Sequence, residues 1–229
     1  MNKVKVIIPA FNEQDSIGHV IADIPKDLVE EIIVVNNCST DNTELNALAT
    51  GVSVLLEKRR GYGYACLKGM EHVAAQEEKP DIIVFMDADY SDFPDQLPEV
   101  IAPILENDMD LVIGARVKKY RESGSMTPPQ VFGNWLATFL MKLLYGAKFS
   151  DLGPFRAIKY KKLMELCMED KTYGWTVEMQ IKALKHKMEI CEVPVDYKKR
   201  IGESKVSGTI KGTIMAGYKI IFAIFKYRF

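Results

Sequence analysis

Two aspartates separated by one small residue, Asp87 and Asp89, are the side chains of this sequence best suited to binding a metal ion. They directly follow the apolar run at residues 82–86, which predicts a buried strand that ends where the carboxylates begin. Open α/β sheets bind ligands at such strand ends. Paired carboxylates with few other ligands suit a hard divalent cation that keeps some water and is completed by substrate phosphates. The alternative is an acidic turn that caps the helix starting near Pro94.

A regular alternation of apolar runs and amphipathic segments predicts the elements that position these aspartates. Strands are expected at residues 3–9, 32–35, 52–56, 82–86 and 111–113, and helices ending near residue 24 and covering residues 41–49, 63–76 and 97–106. Such alternation predicts an α/β fold with a mostly parallel, Rossmann-like sheet and helices on both faces. Right-handed crossovers bring the strand-to-helix loops to one edge of the sheet, so the loops that carry Glu13, Asn36, Asp41 and Asp87 should converge.

The alternation stops after residue 115. We expect a mobile loop at residues 118–129, helices at 130–145, 161–168 and 175–187, a segment at 151–158 that returns toward the sheet, and a strand at 188–195. A basic, flexible loop at 198–208 and an amphipathic helix at 209–227 follow. No linker separates independent domains, so the prediction is one catalytic domain at residues 1–208 and a C-terminal amphipathic helix at 209–229.

The overall composition is that of one large globular domain, with 229 residues of which 48% are hydrophobic and 27% charged. The net charge of −1 hides an asymmetry, because eight basic residues and one acidic residue lie between Lys198 and Phe229. This asymmetry predicts an anionic ligand or a membrane surface near that region. A solvated basic helix is the alternative explanation.

Cysteine and histidine usage predicts the compartment. Four scattered cysteines and three isolated histidines indicate neither a disulfide framework nor a zinc site, which fits a reduced cytosolic setting. The first residues lead into a strand rather than a signal peptide, and no run of about 20 uncharged apolar residues predicts a membrane span. We therefore expect a cytoplasmic protein, peripheral at the cytosolic face of a membrane, with no nucleic acid partner and an oligomeric state left open.

Several ordered segments resemble the family 2 glycosyltransferases, which have the GT-A fold. They are residues 6–13 (VIIPAFNE), 36–41 (NNCSTD), 87–89 (DAD), 151–156 (DLGPFR), 175–178 (WTVE) and 200–205 (RIGESK). The resemblance covers nearly the whole chain. More narrowly, the chain resembles the polyprenyl-phosphate hexose transferases of the dolichyl-phosphate mannose synthase type.

The resemblance implies a binding site for a nucleotide sugar. The residues implied to bind it are Pro9, Phe11, Glu13, Asn36, Asp41, Asp87, Arg156 and Lys205. Glu13 would accept a hydrogen bond from a ribose hydroxyl. Capping of the first helix is an equally good explanation of this residue. Asn36 departs from the family, which usually has two aspartates at this position and the next, and this departure leaves the nucleobase open.

The resemblance also implies a bound Mg²⁺ or Mn²⁺, whose chemical work is to stabilise the departing nucleoside diphosphate as a Lewis acid. Asp89 is the expected direct ligand, and Asp87 would lie toward the ribose and the metal. Ser91 is the candidate third ligand, at a position where related synthases often carry glutamine.

Four residues are expected to take part in catalysis, namely Asp89, Arg116, Asp151 and Arg200. By resemblance, Arg200 and Lys205 lie on a loop that closes over the diphosphate, and Arg116 faces the acceptor phosphate. A surface ion pair is the alternative for each arginine. A phosphate acceptor is already ionised and needs no base, so Asp151 would be a general base only for a sugar hydroxyl acceptor.

Two further segments have open interpretations. Gly61-Tyr62-Gly63 opens a helix whose amides would face phosphate, or it is simply a tight turn. Glu178 would orient the residues of the site without contacting the ligand itself. Alternatively, it is a buried acid satisfied by backbone amides.

The leading hypothesis is an inverting, metal-dependent hexosyltransferase that uses a UDP- or GDP-hexose and a polyprenyl or dolichyl phosphate. A transferase acting on a sugar hydroxyl in cell-wall or surface polysaccharide synthesis is the alternative. A nucleotidyltransferase lacks the expected glycine-rich basic first loop here, and retention of the acidic and basic residues argues against a non-catalytic sensor. The amphipathic helices at 130–145 and 209–227 are predicted to contact a membrane surface, unless their apolar faces are core.

Overall fold

The computed structural model describes residues 2–202 and 210–228. Strands are β1 (Val4–Ala10), β2 (Glu31–Asn36), β3 (Ser53–Leu56), β4 (Ile82–Phe85), β5 (Leu111–Ala115), β6 (Arg156–Lys159) and β7 (Ile190–Pro194). Helices are α1 (Ile17–Asp23), α2 (Thr43–Leu48), α3 (Tyr62–Ala75), α4 (Leu97–Asn107), α5 (Pro128–Tyr145), α6 (Tyr160–Glu165), α7 (Trp175–Lys185) and α8 (Ile210–Lys226).

The seven strands form one sheet in the order β3-β2-β1-β4-β6-β5-β7. Strand β1 pairs in parallel with β2 and β4, and β5 pairs in parallel with β7. Strand β6 runs antiparallel between β4 and β5. The prediction of a mostly parallel sheet is thus confirmed. The return of the chain predicted at residues 151–158 proves to be an inserted central strand.

Both faces of the sheet are covered, which explains why β1 is buried along its whole length. Val4, Val6 and Ile8 belong to the core shared with α1 and α4. Ile7 belongs to the core on the other face, shared with α3 and α7. Helix α3 lies so close to β1 that a Cβ atom on Gly69 would meet Ile7 Cγ2 at 2.6 Å. This contact fixes where α3 begins, at the edge of the sheet that carries the acidic residues.

Helices α5, α7 and α8 form a third apolar cluster outside the sheet. Tyr145 Oη donates to Ile224 O at 2.5 Å, and Lys185 Nζ donates to Tyr227 O at 3.0 Å. Helix α8 therefore shares its core with α5 and α7, while the boundary predicted between residues 208 and 209 falls outside the described residues. Within the described ranges, no helix is long and apolar enough to span a membrane.

Candidate active site

The loops after β1 and β4, together with the start of α3, converge at one edge of the sheet, as predicted. They surround a cavity of about 420 Å³, here named the acidic cavity. Its lining includes six residues expected to bind or turn over a nucleotide sugar: Pro9, Phe11, Glu13, Asp87, Asp89 and Arg200. The sequence prediction therefore selected residues from three separate segments that the fold brings together.

Asp89 is held in a tight turn by its own neighbours. Its Oδ1 accepts hydrogen bonds from the Ser91 amide at 3.0 Å and the Ser91 hydroxyl at 2.5 Å. Its Oδ2 lies 3.1 Å from Arg200 Nη1. Tyr90, which lies between Asp89 and Ser91 in the sequence, has a φ of 60°, and this turns the chain sharply after β4. Ser91 thus orients the Asp89 carboxylate. Its predicted role as a third metal ligand stays a prediction.

Asp87 has the opposite environment. Its Oδ1 is buried and has no hydrogen-bond partner among the described residues. Burial, and then the neighbouring Asp89 charge, raises the pKa of Asp87 to about 6. A buried carboxylate oxygen without a donor calls for a cation or a ligand.

Asp87 and Asp89 together fit a divalent metal ion that takes its remaining ligands from substrate and water. No cluster of three histidine, cysteine or carboxylate side chains suited to a metal occurs in the described part of the chain.

Arg200 closes one side of the acidic cavity. Its Nη2 donates to Glu13 Oε1 at 2.5 Å while its Nη1 pairs with Asp89. Burial raises the pKa of Glu13 to about 7, against the opposing effect of Arg200. The two acids thus hold the guanidinium at the place where a diphosphate would need cationic donors. Lys205, the second predicted cation of this loop, lies outside the described residues.

Arg116 and Asp151 form a buried pair. Arg116 Nε donates to Asp151 Oδ2 and Nη2 donates to Oδ1, both at 2.8 Å, and the Arg116 amide donates to Oδ2 at 2.9 Å. The second terminal nitrogen, Nη1, takes no part in this pair. The Arg116 guanidinium holds the pKa of Asp151 below its usual range, against the effect of burial. Such a carboxylate is a poor general base, because it keeps its charge and accepts hydrogen bonds from four N–H donors, three of Arg116 and the amide of Leu152.

Asn36 and Asp41 are used within their own loop. Asn36 Nδ2 donates to Glu44 at 2.5 Å, and its Oδ1 accepts from the Ser39 amide at 2.9 Å. Asp41 accepts from the amide and hydroxyl of Thr43. Neither residue lines the acidic cavity, whereas Asn37 does. The predicted contact between Asn36 or Asp41 and the nucleobase therefore stays a prediction.

Arg156 does not fit its predicted role. The side chain is fully buried in β6, and its guanidinium donates to the carbonyl oxygens of Leu152, Gly153 and Thr176. Burial lowers the pKa of Arg156 to about 10. The position lies beneath the site, so we correct the expectation that Arg156 contacts the nucleotide sugar. The sequence pattern did not reveal that β6 would be a central strand.

Glu178 is the buried acid satisfied by backbone amides. It accepts from the amides of Glu169 at 2.8 Å and Asp170 at 2.7 Å, and Lys182 Nζ lies 2.7 Å from it. These contacts fix a loop, residues 169–174, that borders the acidic cavity.

The Gly61-Tyr62-Gly63 segment is a close turn against the same loop. A Cβ on Gly63 would lie 2.0 Å from Asp170 O, and one on Gly61 would lie 2.1 Å from Lys171 O. The Gly61 amide donates to Asn37 Oδ1, and the Tyr64 amide donates to Lys171 O. These amides are therefore committed within the protein, which favours the turn over a phosphate cradle.

A second cavity, of about 320 Å³, opens between α5 and α8 and is here named the helical cavity. Its lining includes Arg116, Met126, Leu152, Gly217 and Ile220, and most of it is apolar. Tyr62, Asp87 and Tyr173 line both cavities. The two cavities therefore meet at Asp87, with Arg116 on the side of the helical cavity.

Helices α5 and α8 also carry exposed aromatic rows. In α5, Trp135 stacks on Phe139 with ring centroids 5.8 Å apart, and the ring of Phe132 is tilted against Trp135 at 5.7 Å. In α8, Tyr218 and Phe222 stack at 6.2 Å. All five side chains are exposed by 49% to 60%, which is unusual for residues of this size.

Three functional candidates were missed by the sequence analysis. Tyr62 and Tyr173 border both cavities, and Asp92 is fully buried with both carboxylate oxygens unpartnered among the described residues. Burial raises the pKa of Asp92 well above its usual range. Only the position of Asp92 beside the acidic turn gave any signal in the sequence.

Comparison with known proteins identifies the family. The family described as “Glycosyl transferase family 2” matches residues 5–167. An uncharacterised glycosyltransferase of Mycobacterium tuberculosis is 31% identical over 93% of this chain and 94% of its own. The chain belongs to glycosyltransferase family 2 and is an enzyme of that family.

A second relative and a solved structure are also similar to this chain. A UDP-N-acetylglucosamine–dolichyl-phosphate N-acetylglucosaminyltransferase of Methanococcus voltae is 30% identical over 96% of this chain and 94% of its own. Glucosyl-3-phosphoglycerate synthase of M. tuberculosis, crystallised with Mn²⁺, UDP and glucosyl-3-phosphoglycerate, superimposes with a TM-score of 0.78 at 23% identity, covering 99% of this chain and 80% of that one. The structural likeness confirms the GT-A fold.

Proposed function

We propose that the protein is an inverting, metal-dependent hexosyltransferase that transfers a sugar from a UDP- or GDP-hexose to a polyprenyl phosphate at a membrane surface. The observation that carries this proposal is the meeting of two unlike cavities at Asp87. One is acidic and suits a metal-bound diphosphate. The other is apolar, lies between two amphipathic helices and has a buried arginine near the junction.

The acidic cavity supplies what a nucleotide sugar needs. A divalent cation held by Asp87 and Asp89 would offset the charge that gathers on the departing diphosphate. Arg200, which pairs with Asp89 and Glu13 in the absence of substrate, has guanidinium donors of the kind that bind phosphate oxygens. The structural relatives crystallised with Mn²⁺ or Mg²⁺ and UDP support the choice of metal and ligand class.

The helical cavity supplies what a lipid phosphate needs. The phosphate would face Arg116 Nη1 while its hydrocarbon tail follows the apolar space between α5 and α8. A phosphate oxygen attacks C1 of the sugar opposite the diphosphate. The new C1–O bond forms as the old one breaks, and the bonding electrons leave with the nucleoside diphosphate, so the configuration at C1 is inverted. The relative named for a dolichyl phosphate acceptor supports this assignment.

A sugar hydroxyl acceptor is less well supported. It would need a general base, and Asp151 is committed to Arg116 in a buried pair with a lowered pKa. A phosphate monoester needs no such base, because its second pKa of about 6 leaves it ionised near neutral pH.

The same geometry supports the proposal that the protein contacts a membrane. Helices α5 and α8, which enclose the proposed lipid cavity, carry the exposed aromatic rows. Such rows suit the interface between lipid headgroups and acyl chains. Lys226 is paired with Glu169 at 2.8 Å, so Lys219 is the better candidate for headgroup contact within the described part of α8. A cytosolic, peripheral location is part of this proposal.

The proposal is tested by supplying purified protein with UDP-glucose, UDP-N-acetylglucosamine or GDP-mannose, each with Mg²⁺ or Mn²⁺, with and without a polyprenyl phosphate. We expect release of nucleoside diphosphate and formation of a lipid-linked sugar only when metal and lipid are both present. Transfer to a soluble sugar at an equal rate without lipid would overturn the acceptor assignment.

A further inference from the structure

The wall shared by the two cavities has no assigned role in binding the transferred sugar. Three residues form it: Tyr62, Asp87 and Tyr173. If the acidic cavity holds the diphosphate and the helical cavity holds the acceptor, the transferred sugar must lie where they meet. Its C1 atom is bonded first to the diphosphate on one side and then to the acceptor on the other. This step rests on the proposed function.

Tyr173 is the most accessible aromatic side chain of the shared wall. Its exposed fraction is 37%, whereas the hydroxyl of Tyr62 is buried. Tyr62 lies near enough to Asp87 to affect the pKa of its carboxyl group, but the Tyr62 hydroxyl and Asp87 Oδ1 do not form a hydrogen bond. Tyr173 is therefore the side chain best placed to contact a bound sugar directly.

The backbone around Tyr173 is held firmly. The amides of Thr172 and Gly174, on either side of it, both donate to Asp170 Oδ1, at 2.8 and 3.1 Å. Gly174 cannot carry a larger side chain without a clash, because a Cβ there would lie 2.5 Å from Asp170 Oδ2. Glu178 fixes the start of the same loop through the amides of Glu169 and Asp170. An exposed aromatic ring on such a fixed turn is typical of a recognition residue.

We propose that Tyr62, Asp87 and Tyr173 form the hexose subsite, and that Tyr173 is a specificity-determining residue whose ring packs against the sugar. The Asp87 Oδ1 atom, unpartnered among the described residues, is available to a sugar hydroxyl once the subsite is filled. The ring face of Tyr173 would contact the C–H face of the hexose, so the residue distinguishes sugars by the orientation of their ring substituents.

The test compares Tyr173→Ala and Tyr173→Phe with the wild type by calorimetry in Mn²⁺, using UDP against UDP-glucose and UDP-N-acetylglucosamine, and GDP against GDP-mannose. For Tyr173→Ala we expect unchanged affinity for the nucleoside diphosphate. We expect about tenfold weaker binding of the nucleotide sugar, the loss typical of a removed aromatic contact. Tyr173→Phe keeps the ring and should bind as the wild type does. The ratio of transfer rates among the hexoses should change in Tyr173→Ala.

Tyr120→Ala is the matched control, because Tyr120 has a similar exposed fraction of 42% and lines neither cavity. Equal losses for nucleoside diphosphate and nucleotide sugar in Tyr173→Ala would overturn the proposal by placing the residue at the nucleotide. Unchanged binding of both would overturn it as well. Failure of the wild type to bind any of these nucleotides would instead refute the proposed function itself, a distinct result.

Discussion

The acidic cavity and the helical cavity share a wall of Tyr62, Asp87 and Tyr173, but they are built in different ways. The acidic cavity is made from the ends of β1 and β4, where Ser91 orients Asp89, and from Arg200, which pairs with Glu13 and Asp89. The helical cavity lies between α5 and α8, whose residues are some 80 positions apart and meet through apolar packing and through the hydrogen bond from Tyr145 to Ile224 O. The sheet edge therefore carries the charged groups, whereas the added helices supply apolar space and exposed aromatic side chains.

The largest expected effect comes from the acidic cavity. Asp89→Ala should lower transfer by on the order of 10³-fold, because the metal and the departing diphosphate lose their central carboxylate. The fold should persist, since Asp89 lies at a strand end. Product formation and thermal unfolding are measured together, with Asp95→Ala as control, an exposed aspartate of the same segment. Full activity in Asp89→Ala, or in excess chelator, would contradict the metal role.

The buried pair at the junction gives the next largest effect. Asp151→Asn should destabilise the protein by about 3 kcal/mol, because it leaves the Arg116 guanidinium buried without its partner charge. Denaturant unfolding measures this, and Asp108→Asn is the control. Asp108 pairs with Lys159 but its side chain is 96% exposed, so its loss should lower stability much less than the loss of Asp151 does.

The same variant separates the two acceptor hypotheses. If Asp151 only positions Arg116, Asp151→Asn should raise KM for the lipid phosphate more than it lowers kcat. If Asp151 is a base, kcat should fall with a change in the pH profile.

The difference between the cavities also explains how much the sequence could predict. Strands β1 and β4 are apolar runs followed by charged loops, so both their burial and the convergence of Glu13, Asp87 and Asp89 follow from local pattern and crossover handedness. Strand β6 has no such signal, because its central antiparallel position is decided by pairing with strands distant in sequence. The burial of Arg156 was missed for that reason. Tyr173 was missed because a loop tyrosine has no distinctive pattern.

Variants of the exposed aromatic residues on α5 and α8 should weaken membrane binding and leave the acidic cavity unchanged. Trp135→Ser and Phe222→Ser should each weaken sedimentation with anionic liposomes by about tenfold, the loss expected for one large apolar side chain. Both residues are exposed, by 55% and 51%, so stability should stay the same. Leu48→Ser is the matched control, since Leu48 is 51% exposed on α2. Equal liposome binding in all three variants would mean that the aromatic rows are not the membrane surface.

The smallest expected effect is a pH dependence of stability that comes from Glu13 in the acidic cavity. Burial raises the folded-state pKa of Glu13 to about 7, from a usual value near 4.5. The folded protein therefore holds this proton at pH values where the unfolded chain has lost it. Stability must then fall as pH rises from about 4.5 to 7, because the native state has to ionise a buried acid. Arg200 offsets part of this cost, and water reaches part of the carboxylate, so we expect a difference of about 1 kcal/mol. Unfolding of metal-free protein across this range, compared with Glu13→Gln, isolates the effect. The wild type should lose stability relative to the variant as pH rises, and a relative gain would show that the pairing with Arg200 outweighs burial.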